Sequence, residues 1–346
     1  MKKLIPTFII VPFLILACGQ GPRPADFSDG QAEFSDNFPV VFKKAEPKDF
    51  VHLEYDKNRL AEIGDYLESL DRKSLDEFDP KDCQGLSLSN WASLESLPKN
   101  MYSGFNLDHL TNDDMKIKYR NFYCMAIPNL IQVNYEVLVE RSKIYELKRK
   151  STFNDEDLKF LKATFSKYNL KVENENYKLN DFIELLDRVD IVPLSISLGQ
   201  MAYEGGWGSS KFAQKCKNTF GLKGEVENHP AECIDHEGYK FLVFDSILDN
   251  ARAYLHRINS GSNYYKYFRD RRRQLRIKKR KNPILLTKGL INYAETRTEY
   301  TNYLIDHFLN DADRSTQIFD GIFQFRKDKA TETNGLEKST DLNTQE

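Results

Sequence analysis

The chain has 346 residues, of which 40% are hydrophobic and 12% aromatic, and a formal net charge of -2. That length and apolar content suit one catalytic-sized domain with a smaller companion region around a real core. The near-neutral balance argues against bulk binding of nucleic acid, which is not expected as a partner.

Lys2 and Lys3 precede an apolar run from Leu4 to Leu16. This is the pattern of an export signal, too short for an ordinary membrane-spanning helix. Ile15-Leu16-Ala17-Cys18 resembles a bacterial lipobox. The resemblance implies cleavage before Cys18, lipid on its sulfur and attachment to a membrane through it. An ordinary signal peptide with an incidental Cys18 is the plainer alternative. Gly19 follows where an inner-membrane lipoprotein often has aspartate, so the expected location is the periplasmic face of a bacterial membrane, the outer one preferred, or the cell surface. Residues 19–48 carry Gly, Pro, Ser and Asp with little periodicity and read as a flexible tether.

Four cysteines remain after Cys18: Cys83, Cys124, Cys216 and Cys233. An even number in an exported chain suggests disulfides, with three possible pairings. Proximity along the chain favours Cys83 with Cys124 and Cys216 with Cys233. A zinc site of Cys216, His229, Cys233 and His236 is the competing idea, but the spacing fits no familiar zinc module. No metal and no cofactor is expected.

Residues 49–115 read as a helical N-terminal region, with a stripe of Leu60, Ile63, Tyr66 and Leu67. Trp91 within it is either a core residue or a sugar-stacking one. Lys116 to Lys150 repeats Phe122, Ala126, Leu130, Val133, Val137 and Leu138 at helical spacing. Asn154 is a good N-cap for a helix reaching Tyr168, with Asp155, Glu156 and Asp157 in its first turn. A further helix starts at Leu179 and ends near Asp187.

A helix is expected over Val189 to Tyr203, and within it Ile191 to Ala202 is apolar or small nearly all round, which places it in a core. It ends at Glu204, followed by Gly205, Gly206, Trp207 and Gly208, a strong helix stop. At that position the helix dipole and partial desolvation both favour the protonated carboxyl. A carboxylic acid held protonated near neutral pH is what a general acid requires. The plainer reading is a surface Glu that fills the last turn.

Tyr203-Glu204-Gly205-Gly206-Trp207-Gly208, the Ser210-Lys211-Phe212-Ala213 that follows, and Asn218-Thr219-Phe220-Gly221-Leu222-Lys223 together resemble glycoside hydrolase family 73. These are bacterial endo-β-N-acetylglucosaminidases that cut peptidoglycan, with flagellar-rod and Bax-like types among them. Gly205 stands where the family has Ser, and Thr219 where it has Leu. The likeness runs from about Lys116 to Phe325 and implies a catalytic Glu204. Beyond Lys223, two runs with strand character, Ala231–Asp235 and Tyr239–Phe244, flank a His236-Glu237-Gly238 turn. They are similar to the family's β-lobe, which implies Glu232 as a second catalytic carboxylate, with Glu237 and Asp235 in competition. Ser246 is an N-cap for a helix to about Ile258.

Lys266 to Lys281 holds ten Lys or Arg residues. They either grip anionic groups of the cell wall or lipid, or form a solvated helix face. Asn292-Tyr293-Ala294-Glu295-Thr296, with Tyr300 beyond, resembles the family's Tyr-(Ala/Ser)-Thr element, although Glu295 intervenes. The resemblance implies that Tyr293 lines the cleft and orients Glu204 or the substrate's acetamido group.

The expected fold is α+β and mainly α, a lysozyme-like helical body with a small antiparallel β-hairpin lobe. The expected parts are residues 1–18 as signal, 19–48 as tether, 49–115 as helical region, 116–327 as glucosaminidase domain and 328–346 as a disordered tail. Tyr203, Trp207, Phe220, Tyr239 and Tyr300 are candidate substrate-binding residues, and for Trp207 a core anchor is the stronger reading. The expected partner is the peptidoglycan glycan strand, cut by a monomer at the bond after N-acetylglucosamine. Rival readings are a lytic transglycosylase and a non-catalytic, lipid-anchored glycan binder.

Overall fold

The computed structural model describes residues 57–83, 94–110, 114–261, 265–277, 282–310 and 322–323. The signal, Cys18, the tether, Trp91 and the tail at 328–346 lie outside the described residues. Among them, no helix is long and apolar enough to cross a membrane.

The protein is mainly α. Helix α1 (Lys57–Glu68) precedes two short strands, β1 (Asp71–Lys73) and β2 (Asn100–Tyr102), and then a long α2 (Met115–Lys148). Next come α3 (Asp155–Lys167), α4 (Leu179–Arg188), α5 (Leu194–Glu204) and a short α6 (Lys211–Lys215). Helices α7 (Ile247–Ser260), α8 (Lys266–Ile277), α9 (Pro283–Thr287) and α10 (Thr298–Leu304) complete the order, and a π-helical turn, Ile305–Leu309, continues the last.

Local signals set several of these boundaries. Asn154 accepts from the Asp157 N–H, and Asp157 answers to the Asn154 N–H, in a capping box. Ser246 caps α7 by accepting from the Asp249 N–H. Helix α2 packs against α1, α4, α5, α7 and β2. Tyr102, Phe105 and Leu110 share one core with Phe122 of α2 and Leu198 of α5. The residues before α2 are thereby part of the packing that holds α5.

Both favoured disulfides form, Cys83–Cys124 and Cys216–Cys233. The second removes both sulfurs from the zinc alternative. The β component differs from expectation. Strands β1 and β2 pair in parallel, while residues 223–241 make only the antiparallel bridges Lys223–Phe241 and Ile234–Lys240. The reason is local. Asp235 Oδ1 accepts from the Glu237 and Tyr239 N–H groups, folding the chain into a tight turn. Cys233 is tied to Cys216, and the Leu242 N–H turns to the Leu222 carbonyl.

The basic run also resolves in part. Arg269 is buried and donates to the carbonyls of Ile258 and Gly261 at the end of α7. Burial, with Arg188 and Arg272 nearby, pulls its guanidinium down to about 10. Arg272, equally buried, donates to Asp187, Ile191 and Asn259 Oδ1. Arg273 pairs with Asp187 at 2.6 Å. Arg269 and Arg272 thus clamp the ends of α7 and α4, where orphan carbonyls need donors. Residues 278–281 of the run lie outside the described residues.

Candidate active site

Helix α5 is buried along Leu194 to Ala202 and delivers Glu204 at its last turn, half-buried, with Oε1 shielded from solvent. Beyond it the Gly205 N–H donates to Met201 and the Trp207 N–H to Ala202, which satisfies the carbonyls a helix end leaves open. Gly206, Trp207 and Gly208 all have positive φ. For Trp207, at +57°, that conformation costs about 1–2 kcal/mol. Its indole holds it there, packed at 3.9 Å between centroids from Tyr119 and at 5.4 Å from both Phe122 and Phe308. Trp207 is thus a core anchor for the turn after Glu204, not an open platform.

The 218–223 loop comes up against the carboxylate. Asn218 builds this loop: its side chain donates to the Leu222 and Leu242 carbonyls and accepts from the Leu222 N–H. Asn250 of α7 accepts from both the N–H and the hydroxyl of Thr219. Thr219 in turn lies against Gly205, where a Cβ would stand 3.2 Å from the Thr219 Cβ and 2.7 Å from the Met201 carbonyl. The two departures from the motif pattern, at 205 and 219, are therefore neighbours in space.

Phe220 is 1% exposed and stacked on Tyr254 at 3.8 Å, so its ring is core and not a substrate surface. What Phe220 offers is its carbonyl, which accepts from the Tyr293 hydroxyl at 2.8 Å. Tyr300 is equally buried, with its ring stacked on Tyr293 at 5.6 Å, and it too is corrected from binding residue to wall. Tyr203 meets Tyr300 edge-on at 5.2 Å and is 40% exposed.

Beneath this wall runs a buried polar chain. Tyr254 donates to Gln200 Oε1 at 2.5 Å, and Gln200 Nε2 donates to the Tyr300 hydroxyl at 3.0 Å. Burial pushes the Tyr254 phenol well above the ordinary tyrosine range, and the charge of Glu204 adds to the push. Gln200, four residues before Glu204 on the same helix face, is a site residue that hydropathy passes over. Its signal was a lone amide in an otherwise apolar helix.

Glu204, Tyr203, Tyr293 and Tyr300 are thus brought together through Gly221, Phe220 and the ring contacts. Glu232 is exposed on the turn Ala231–Cys233, and Tyr239 lies under the Lys223 ammonium, 3.8 Å from its ring centroid. No described contact links either to Glu204. Of the rival acids, Asp235 is occupied in its turn, and Glu237 faces His236 at 3.7 Å with both exposed. No group of three His, Cys, Asp or Glu among the described residues could hold a metal ion.

Glu204 thus closes a buried helix beside a row of tyrosines on a mainly α body. Residues 179–311 match the family model for glucosaminidase, described as mannosyl-glycoprotein endo-beta-N-acetylglucosaminidase. The chain is also similar to Protein bax of Escherichia coli (strain K12), 26% identical over 186 residues. That match covers 53% of this chain and 66% of the relative, just under two thirds of its length. No solved structure gave a significant match.

Proposed function

We propose that the protein is an exported, lipid-anchored peptidoglycan hydrolase that cleaves the β-1,4 bond after N-acetylglucosamine, with Glu204 as general acid. The observation that carries this reading is Glu204 at the end of buried α5, with Gly221 against its carboxylate and the Tyr293–Tyr300 wall alongside. Glu204 protonates the glycosidic oxygen as the bond to the anomeric carbon lengthens. The oxocarbenium-like centre is then met by water activated by Glu232, or by the substrate's own 2-acetamido oxygen. Tyr293, held by the Phe220 carbonyl, orients Glu204 or the acetamido group. The domain acts as a monomer on the glycan strand, and the anchor at Cys18 keeps it at the membrane that faces this polymer. Residues 116–327 form the catalytic domain in this reading.

The test is digestion of purified peptidoglycan by the protein and by its Glu204→Gln variant, with mass spectrometry of the products. Reducing N-acetylglucosamine ends, lost in the variant, are expected. Anhydro-muramic ends would assign a lytic transglycosylase instead. No products from the wild type would leave a glycan binder.

A further inference from the structure

The aromatic wall beside Glu204 does not end at Tyr203. Tyr203 meets Tyr303 at 4.9 Å between ring centroids, and Tyr303 meets the His307 imidazole at 4.2 Å. The inner rings of the row are anchored, Tyr300 being buried and Tyr293 bonded to Phe220. The outer ones face solvent: Tyr203 is 40% exposed, His307 is exposed and Tyr303 half-buried.

A second feature lies at the same place. Tyr303 and His307 straddle the change from α10 to the π-helical turn Ile305–Leu309. Such turns are rare and concentrate at functional sites. Here the turn carries Phe308 inward against Trp207, and so close to Gly199 that a Cβ there would stand 3.2 Å from the Phe308 ring. His307 meanwhile stays outside beside Tyr303. Leaving aromatic surface open in a row forgoes the gain from burying it.

We propose that Tyr203, Tyr303 and His307 form an outer glycan subsite, which stacks a sugar ring of an N-acetylglucosamine-containing strand away from the bond at Glu204. The inference rests on the glycoside hydrolase reading of Glu204, since it is continuity with that wall that aims the row at a sugar chain. The rings offer apolar faces to the C–H face of a pyranose. The phenol hydroxyls and imidazole nitrogens serve its hydroxyl and acetamido groups.

The experiment is calorimetric binding of chitohexaose and chitotriose to the full chain carrying Glu204→Gln, which blocks cleavage. The hexamer is expected to bind more tightly than the trimer. Adding Tyr303→Ala or His307→Ala should weaken hexamer binding by about 3- to 10-fold and trimer binding by less than about twofold. Tyr303→Phe, which keeps the ring face and loses only the hydroxyl, should recover most of the hexamer affinity. Should Tyr303→Ala fail to fold, exposed His307→Ala carries the test alone. Failure of the hexamer to bind, equal weakening of both ligands, or no weakening of either overturns the subsite. Hexamer binding that depends on Tyr303 and His307 in a wild type that cleaves nothing would sink the hydrolase reading and leave the subsite standing.

Discussion

Gly221 lies so close to Glu204 that a Cβ added to it would stand 3.2 Å from the carboxylate Oε2. Its φ of +62° is also one that L side chains adopt at a cost. The loop therefore needs glycine twice over, for its own conformation and for the room it leaves the acid. Gly221→Ala should cost about 1–2 kcal/mol of stability from backbone strain. By displacing the carboxylate it should also lower kcat by about tenfold or more with KM little changed. Steady-state kinetics on peptidoglycan fragments, beside urea unfolding, would separate the two effects. An unchanged kcat would remove the steric argument.

Gln200 ties Tyr254 to Tyr300 inside the core. Gln200→Leu leaves both hydroxyls buried without that partner, at about 1–3 kcal/mol each. A loss of about 2–4 kcal/mol is expected by chemical denaturation. Tyr254→Phe, which removes one donor and keeps the ring stacked on Phe220, should cost clearly less. Equal costs for the two variants would contradict the arrangement.

Arg272 gathers the end of α4 and Asn259 of α7 with one planar fork, and Asp190 lies 3.5 Å from its Nε. Lysine keeps the charge but lacks the fork. Arg272→Lys should therefore destabilise by about 3 kcal/mol or more, close to the effect of Arg272→Met. A melting temperature within a degree of wild type for the Lys variant would show that charge alone suffices.

Asp157 supplies a pH dependence. The Lys150 ammonium, 2.5 Å from its Oδ2, holds the carboxyl below the usual carboxylate range, against a smaller upward push from burial. A carboxyl whose pKa is lower folded than unfolded stabilises fully above its unfolded value, near about 3.9. That contribution drains away as pH falls through the folded value. Wild type should therefore exceed Asp157→Asn in stability above about pH 5, and the gap should narrow toward about pH 2. Urea unfolding across that range measures it, and a gap that widens on acidification would contradict the assignment.

Much of the local architecture was legible in the residues. The caps at Asn154 and Ser246, the stripe of α1 and the stop after Glu204 all formed where the pattern put them. So did both cysteine pairings. Each depends on residues a few positions apart, or on a small choice among partners. Several assignments failed for a shared reason. Phe220 and Tyr300 look like cleft aromatics, but Tyr254 and Gln200 claim them from distant helices. Of the basic run, read either as an anion grip or as a solvated face, Arg269 and Arg272 turn instead to carbonyls of α7 and α4.

The sequence by itself determined the caps at Asn154 and Ser246 and that one glutamate would close a buried helix, although that helix starts at Leu194 and not at Val189. Those outcomes follow from hydrogen bonds and apolar periods within a turn or two of chain. Only the tertiary structure decided which tyrosines face solvent, that Gly221 makes room for Glu204, and that Tyr303 and His307 extend its aromatic wall. Those relationships join residues from under twenty to about a hundred positions apart. An exposed ring and a buried one are the same letter until the core has closed around one of them.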